Sequence, residues 1–363
     1  MNLLGCEVAN HGRRAALGLL AVIAVASCDS GTRPAEIDDP TQPIATDINS
    51  VRYVSPTGRD NWPGTKSQPW RTLRRALPAM RPDQFLYVRG GVYREDVFQV
   101  NVEPTTKARP IVMMAYPGER ATVQGLFWLR QPSYWTIDGI NVTANETLAP
   151  TNRPLVKITG GEGWAWQNSE VWGSRGATNM LVTGYGRGEP TKWAVTGNCF
   201  HDVRPPTGVV RSSNLTIGAM RDAGPGVVSR NVMFDAPRPH NVAIGSARGG
   251  ATDVTFEFNT VYGAGSAIAV AGDTSGLSVT RNILAGTSAG VLVRWNEPQD
   301  ADNVVTQNLG DGGRVFLRPF AEEVVGGPGN IPADRLDFTD TSSCEGFSSE
   351  EPGTLPYGAY AVG

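Results

Sequence analysis

Charge is scarce in this chain, and histidine scarcer: Asp, Glu, Lys and Arg make up 18% of 363 residues, and there are three histidines. Two of these, His201 and His240, lie beyond the first fifty residues, and no pair has metal-ligand spacing, which argues against a zinc centre. No apolar helical pattern runs uninterrupted for more than about 12 residues. There is no Gly-rich phosphate loop opening a helix, no serine nucleophile elbow and no nucleic-acid motif, so no nucleic-acid partner is expected. Glycine and proline, by contrast, are plentiful at 43 and 26 residues, as a chain that turns many corners requires. The length fits either one elongated solenoid or two globular domains.

A repeat decides between them. Short alternating strands end at Asn168, Asn198, Asn231, Asn259, Asn282 and Asn308, with spacings of 30, 33, 28, 23 and 26 residues. The alternation marks half-buried strands, and Asn tolerates a left-handed backbone, so it is expected to turn the corner into a second strand. One such unit cannot bury its apolar face alone, so neighbours must stack. The expected fold is all-β, a right-handed parallel β-helix of nine or ten rungs over residues 51–363.

The first 27 residues read as an export signal: Arg13-Arg14, an apolar stretch from Ala15 to Ala26 too short to span a membrane, then small residues before Cys28. Val25-Ala26-Ser27-Cys28 resembles a bacterial lipobox, which implies cleavage before Cys28 and lipidation of its thiol; an ordinary secretory signal is the alternative. Residues 28–49 read as a flexible tether. The expected location is the cell envelope, with membrane contact through the lipid alone and a monomeric chain. Charge is uneven along it. Residues 151–250 hold nine Arg and two Lys against three Glu and three Asp, while 251–363 hold five Arg against fifteen acids. A basic middle suits an anionic polymer across the central rungs; Arg retained at exposed positions by a GC-rich genome is the plainer account.

The stretch Tyr53-Val-Ser-Pro-Thr-Gly58-Arg-Asp60, the Gly64-Thr65 loop and Thr72-Leu-Arg-Arg-Ala76-Leu resemble the N-terminal signature of bacterial right-handed β-helix proteins, the pectate-lyase-like group that includes several polysaccharide lyases. In that group a short helix caps the open end. Leu73, Ala76, Leu77 and Met80 supply one apolar face for such a cap, and Pro78 shortens it. Phe85–Glu95, Pro110–Gly118 and Trp135–Ile140 read as the next rungs, and Tyr357-Gly-Ala-Tyr360 resembles the closing segment. Gly-Asn198-Cys-Phe-His201-Asp202, Gly226-Val-Val-Ser-Arg-Asn231 and His240-Asn241-Val-Ala-Ile-Gly245 resemble one subgroup of exported members. These motifs speak for the fold more than for a reaction.

Aligning rungs on Asn198 and Asn231 puts Asp202 on Asp235 and His201 on Phe234. Stacked rungs lie ~4.8 Å apart, so the carboxylates are candidates for a calcium site, for an acid and nucleophile pair, or for turn residues bonding local amides. His201 and His240 are candidate general acids or bases, or surface histidines with one hydrogen bond. Arg211, Arg221 and Arg238 are candidate partners for a uronate carboxylate or bases of a lyase. Lys157 is expected to face outward, opposite Val156 and Ile158. Trp172 and Trp193 are candidates for stacking on sugar rings, whereas Trp164 and Trp166 share a face and belong in the core. With Cys28 lipidated, Cys199 and Cys344 are a candidate disulfide. The function expected is a lyase-like or hydrolase-like action on an acidic polysaccharide. The alternative is a non-catalytic glycan-binding or structural lipoprotein.

Overall fold

The computed structural model describes residues 50–147, 152–184, 186, 188–205, 212–218, 222–237, 239–246, 248–287, 289–294, 303–311, 316–317, 331–333, 338, 340–347 and 357–359. Among them, strands stack in parallel into three sheets, each rung adding one strand to each sheet. The first sheet runs from Val51–Val54 to Val304–Thr306 in ten strands, and the second from Gly91–Tyr93 to Ile331–Ala333 in ten. The third runs from Val97–Asn101 to Phe316–Leu317 in nine. The fold is a right-handed parallel β-helix.

Alternation places one residue in two inside the coil, and register stacks the same position rung upon rung. In the first sheet Ile137, Trp166, Val195, Val228, Phe256 and Val279 form such a column, and all are fully buried. Removing each from water contributes about 1.5–3 kcal/mol. The N-terminal end of the coil is closed as expected. Leu73–Ala76 is one α-helical turn, and Pro78 turns its continuation, Leu77–Ala79, into a 3-10 helix. Leu73, Ala76, Leu77 and Met80 are all buried. Thr72 caps the helix, and the Glu95 carboxylate accepts from Leu73 N at 2.8 Å and Arg74 N at 3.0 Å, satisfying amides that the helix itself cannot.

The corner between the first and second sheets differs from expectation by one residue. The left-handed residue is the one before each asparagine: Gly197, Arg230, Phe258, Arg281 and Gln307, with φ from 52° to 66°. Asn198, Asn231, Asn259, Asn282 and Asn308 follow it and point inward, at most 2% exposed. Their amides form a ladder. Asn231 Oδ1 accepts from Asn198 N and Nδ2 at 2.9 and 3.0 Å, and the pattern repeats from Asn231 to Asn308. Side chains that satisfy buried amides of the neighbouring rung must sit inside, which leaves the left-handed turn to the preceding residue. Asn168, itself left-handed at φ 52°, therefore occupies the turn position, and Ser169 stands where the ladder begins. A second ladder, Asn179–Asn214–Asn241, lines the corner into the third sheet with Nδ2–Oδ1 distances of 2.8 and 3.0 Å.

The C-terminal segment crosses the outside of the second sheet. Cys344 is bonded to Cys199 across 145 residues, with Cα atoms 5.9 Å apart. Phe347 packs on Phe234 and Tyr262, and Phe338 packs on Tyr262. Ala359 N donates to Thr260 Oγ1 at 3.0 Å. This cover buries Val232, Phe234 and Ile283, which would otherwise face water. Closing so long a loop constrains the unfolded chain by up to about 5 kcal/mol. A Cys344→Ser chain is expected to be cleaved by a dilute protease between residues 338 and 347 about tenfold faster, the rungs staying intact. Mass spectrometry of the first fragments checks this.

Candidate functional sites

Among the described residues, polar and aromatic side chains cluster at several places on the outside of the coil, and two of these clusters hold candidate residues. The first occupies the second sheet beside the C-terminal cover. Glu170–Trp172 pairs with Cys199–His201, which pairs with Val232–Met233. Register sets Trp172, His201 and Phe234 in one column, their rings stacked at centroid distances of 6.1 and 4.9 Å. His201 Nε2 lies 2.9 Å from Glu170 Oε1, and Arg120 binds the other oxygen of Glu170 while lying over Trp172 at 5.6 Å. The hydrogen bond with His201 holds the Glu170 carboxyl below the usual range; burial opposes this and Arg120 adds to it. A group lowered in this way contributes stability above the ordinary Glu value and loses it as pH falls through the lowered one. Glu170→Gln is therefore expected to lower the melting temperature at neutral pH by a few degrees and to flatten its fall below about pH 4.5. Calorimetry over pH 3–7 reads both.

One residue further, Asp202 and Asp235 are neighbours, both with left-handed backbones. Burial works against ionisation of Asp202, but hydrogen bonds from Asp235 and from Arg204, whose Nη2 lies 2.6 Å away, outweigh it and hold the carboxyl low. Asp235 is pushed up, first by its hydrogen bond to Asp202, then by burial and by the charge of Asp202. Carboxyls in hydrogen-bond contact are closer than the roughly 5–9 Å that acid and nucleophile or base need around a glycosidic bond. Calcium fits no better: it takes 6–8 oxygens, whereas this pair offers two carboxyls, one already bound to Arg204. His201, with both ring faces covered and Nε2 held by Glu170, belongs to the stack more than to solvent. The cluster is satisfied within itself.

The second cluster lies on the outer face of the third sheet. Phe127–Arg130 pairs with Val156–Thr159, so Trp128 lies beside Lys157 and Arg130 beside Thr159. An irregularity between Val97 and Val100, with Gln99 at φ 55°, brings Phe98 up to Trp128, edge to face at 5.0 Å. Trp128 Nε1 donates to Thr159 Oγ1 at 2.7 Å, which fixes the indole. Lys157 Nζ lies 4.1 Å and the Arg130 guanidinium 5.5 Å from the Trp128 ring, and Arg153 lies 4.7 Å over Phe98. Burial, then the charge of Arg130, pulls the Lys157 amine below its ordinary value. Lys157 faces outward as its alternation requires, yet it is only 7% exposed. Three cations around two aromatic rings suit a sugar carrying a carboxylate: rings stack on its apolar face and cations pair its charge.

The sequence candidates are thus divided. His201, Asp202 and Asp235 come together. His240 opens a strand of the third sheet, Nδ1 2.7 Å from Ser266 Oγ. Arg211, Arg221, Arg238 and Cys28 lie outside the described residues. Trp193 is buried against Trp164, rings 5.7 Å apart, which removes it as a stacking platform; Trp172 keeps partial exposure. Sequence reasoning passed over Glu170 and Arg120, which reach His201 and Trp172 only through stacking of distant segments. It also passed over Trp128, although the alternation Phe127-Trp-Leu-Arg130 already turned Trp128 outward.

Comparison with known proteins adds to this picture. Residues 56–102 match a family described as a protein of unknown function, DUF1565. Pectate lyase PEL9 of Emericella nidulans is 26% identical over 128 residues, covering 35% of this chain and 28% of that protein. Among solved structures, a rhamnogalacturonan lyase superposes with a TM-score of 0.55 at 13% identity, over 84% of this chain and 94% of its own. Pectate lyase Pel9A superposes with a TM-score of 0.51 at 14% identity, over 73% and 76%. Among the described residues no helix is long and apolar enough to cross a membrane. The chain is a right-handed parallel β-helix, a fold it shares with these two lyases.

Proposed function

We propose that the chain binds an acidic polysaccharide across the outer face of the third sheet and cleaves it by β-elimination, with Lys157 as the base. The observation that carries this is the placement of a partly desolvated amine beside Arg130 and over Trp128. Neighbours in fold that are pectate and rhamnogalacturonan lyases support the same substrate class. In the reaction the neutral amine takes the proton from the carbon bearing the uronate carboxylate. The released electron pair forms a double bond to the adjacent carbon, and the glycosidic oxygen leaves that carbon and takes a proton from water. Arg130 pairs the carboxylate and stabilises the charge that develops on it. A lowered amine pKa raises the neutral fraction near neutral pH, so the rate rises with pH through that value.

The test is a panel of uronic-acid polysaccharides incubated with soluble chain, residues 30–363, followed by ultraviolet absorbance of unsaturated ends, with calcium and with EDTA. Rising absorbance supports elimination. A flat trace with new reducing ends indicates hydrolysis, and flat traces in both assays with retained polymer binding indicate a binding lipoprotein. Binding without cleavage is the second reading, and it draws on the self-satisfied state of the Glu170–Asp235 cluster, which withdraws those carboxyls from chemistry. On either reading the chain acts as an exported, monomeric lipoprotein anchored through Cys28. Cys28→Ser is expected to move it from the membrane fraction to the soluble one, and continued partition to membranes would sink the anchor.

A further inference from the structure

At the corner between the second and third sheets, beside the Phe98–Trp128 platform, the surface opens into a pocket of about 110 Å³. Two arginines, Arg153 and Arg175, line it against one acid, Asp96, with Asn145, Ser174 and Leu155 beside them. The walls are held from behind. Asp96 Oδ1 accepts from Leu126 N at 2.9 Å, and Ser174 Oγ donates to Thr178 O at 2.9 Å. Ser174 N donates to Asn179 Oδ1 at 3.0 Å, which ties the pocket to the second asparagine ladder. Arg175 Nη1 donates to Glu146 O at 2.8 Å, which orients that guanidinium. Gly125, also in the lining, has φ +155°, and a Cβ there would come within 2.3 Å of Glu95 O, so the wall closes tightly at that point.

Arg153 joins pocket and platform, since the same guanidinium lies over Phe98. The volume matches one ring or a carboxylate-bearing part of one, comparable to the ~150 Å³ that holds a benzene. A net positive, partly apolar and rigid pocket selects a compact anion with a polar ring.

We propose that this pocket takes a single uronate residue, at a chain end or on a side branch, of the polymer lying on Phe98 and Trp128. This deepens the reading of the third-sheet face as an acidic-glycan site and rests on it. The test titrates galacturonate, glucuronate, galactose and acetate into the purified full-length chain by calorimetry and ligand-observed NMR. The chains compared are the unaltered protein and its Arg153→Met and Arg175→Met variants, with circular dichroism melts confirming that each folds. The expected result is that both uronates bind and galactose and acetate do not, with uronate affinity falling about tenfold or more in each Arg variant. Equal binding of galactose and galacturonate, uronate binding indifferent to both Arg variants, or no sugar binding at all overturns the pocket. Arg153 is exposed, so its variant is expected to fold, and a loss shared by Arg153→Met and Arg175→Met assigns the binding to the pocket, since Arg175 lines the pocket alone. The outcomes separate from those of the cleavage assay. Uronate binding that follows the two arginines while polymers stay intact retains the pocket and rejects elimination. Cleavage of polymers with no uronate bound does the reverse.

Discussion

Lys157→Met is expected to reduce formation of unsaturated ends by about 10²–10⁴-fold, the usual contribution of a positioned base, with kcat falling and KM nearly unchanged. Methionine keeps most of the stem that packs over Trp128, so the melting temperature is expected to stay within about 2 °C of the parent. Lys157→Arg tests the base more finely. A guanidinium keeps the positive charge over the ring but does not give up its proton, so binding persists while turnover is lost. The pH profile adds an independent reading. Burial and Arg130 hold the amine low, so Arg130→Gln removes the second of these influences and shifts the rising limb of the profile to higher pH. A Lys157→Met chain that cleaves at the parental rate would remove the amine from the mechanism.

Asn259→Ala should cost about 3–4 kcal/mol of stability, as should Asn282→Ala with its matching set of bonds, because either orphans several buried groups at once. Asn259 Oδ1 accepts from Asn231 N and Nδ2 at 3.0 and 2.9 Å, and its Nδ2 donates to Val228 O at 2.9 Å, Glu257 O at 3.0 Å and Asn282 Oδ1 at 3.1 Å. The residue is fully buried, so water cannot replace these partners without opening the corner. Ser169→Ala is the control. At the start of the ladder Ser169 Oγ serves only Ile140 N at 3.1 Å and Gln167 O at 2.9 Å among the bonds described, and its loss is expected to cost about 1 kcal/mol. Chemical denaturation of both variants gives the comparison. A cost for Asn259→Ala below that of Ser169→Ala would show that the ladder follows the fold without stabilising it.

Much of the architecture was legible in the chain. Stacking in a solenoid is a relation between neighbours about thirty residues apart, so a recurring strand and corner is enough to place the rungs, and the Leu73–Met80 face is enough to place the cap. The same locality carried His201 onto Phe234 and Asp202 onto Asp235. The corner lies one residue from where the sequence alone places it, because asparagine is equally suited to a left-handed backbone and to a buried amide ladder. Only the neighbouring rungs, whose amides need partners, choose between them. Trp193 was a candidate platform until Gly226 stacked beneath it, where a Cβ would meet the indole at 2.1 Å.

By itself, then, the sequence determined the parallel β-helix, its capped end, the apolar columns inside it and the alignment of the two aspartates, because each follows from periodicity along the chain or from one rung meeting the next. The tertiary structure alone decided what covers the second sheet and which side chains gather on the third. The Cys199–Cys344 bond and Phe347 cover the second sheet from 145 residues away, and the irregular turn at Gln99 brings Phe98 to Trp128 and Lys157. Neither contact leaves a periodic trace, since each joins segments that meet once, through a covalent bond or a single local departure from register.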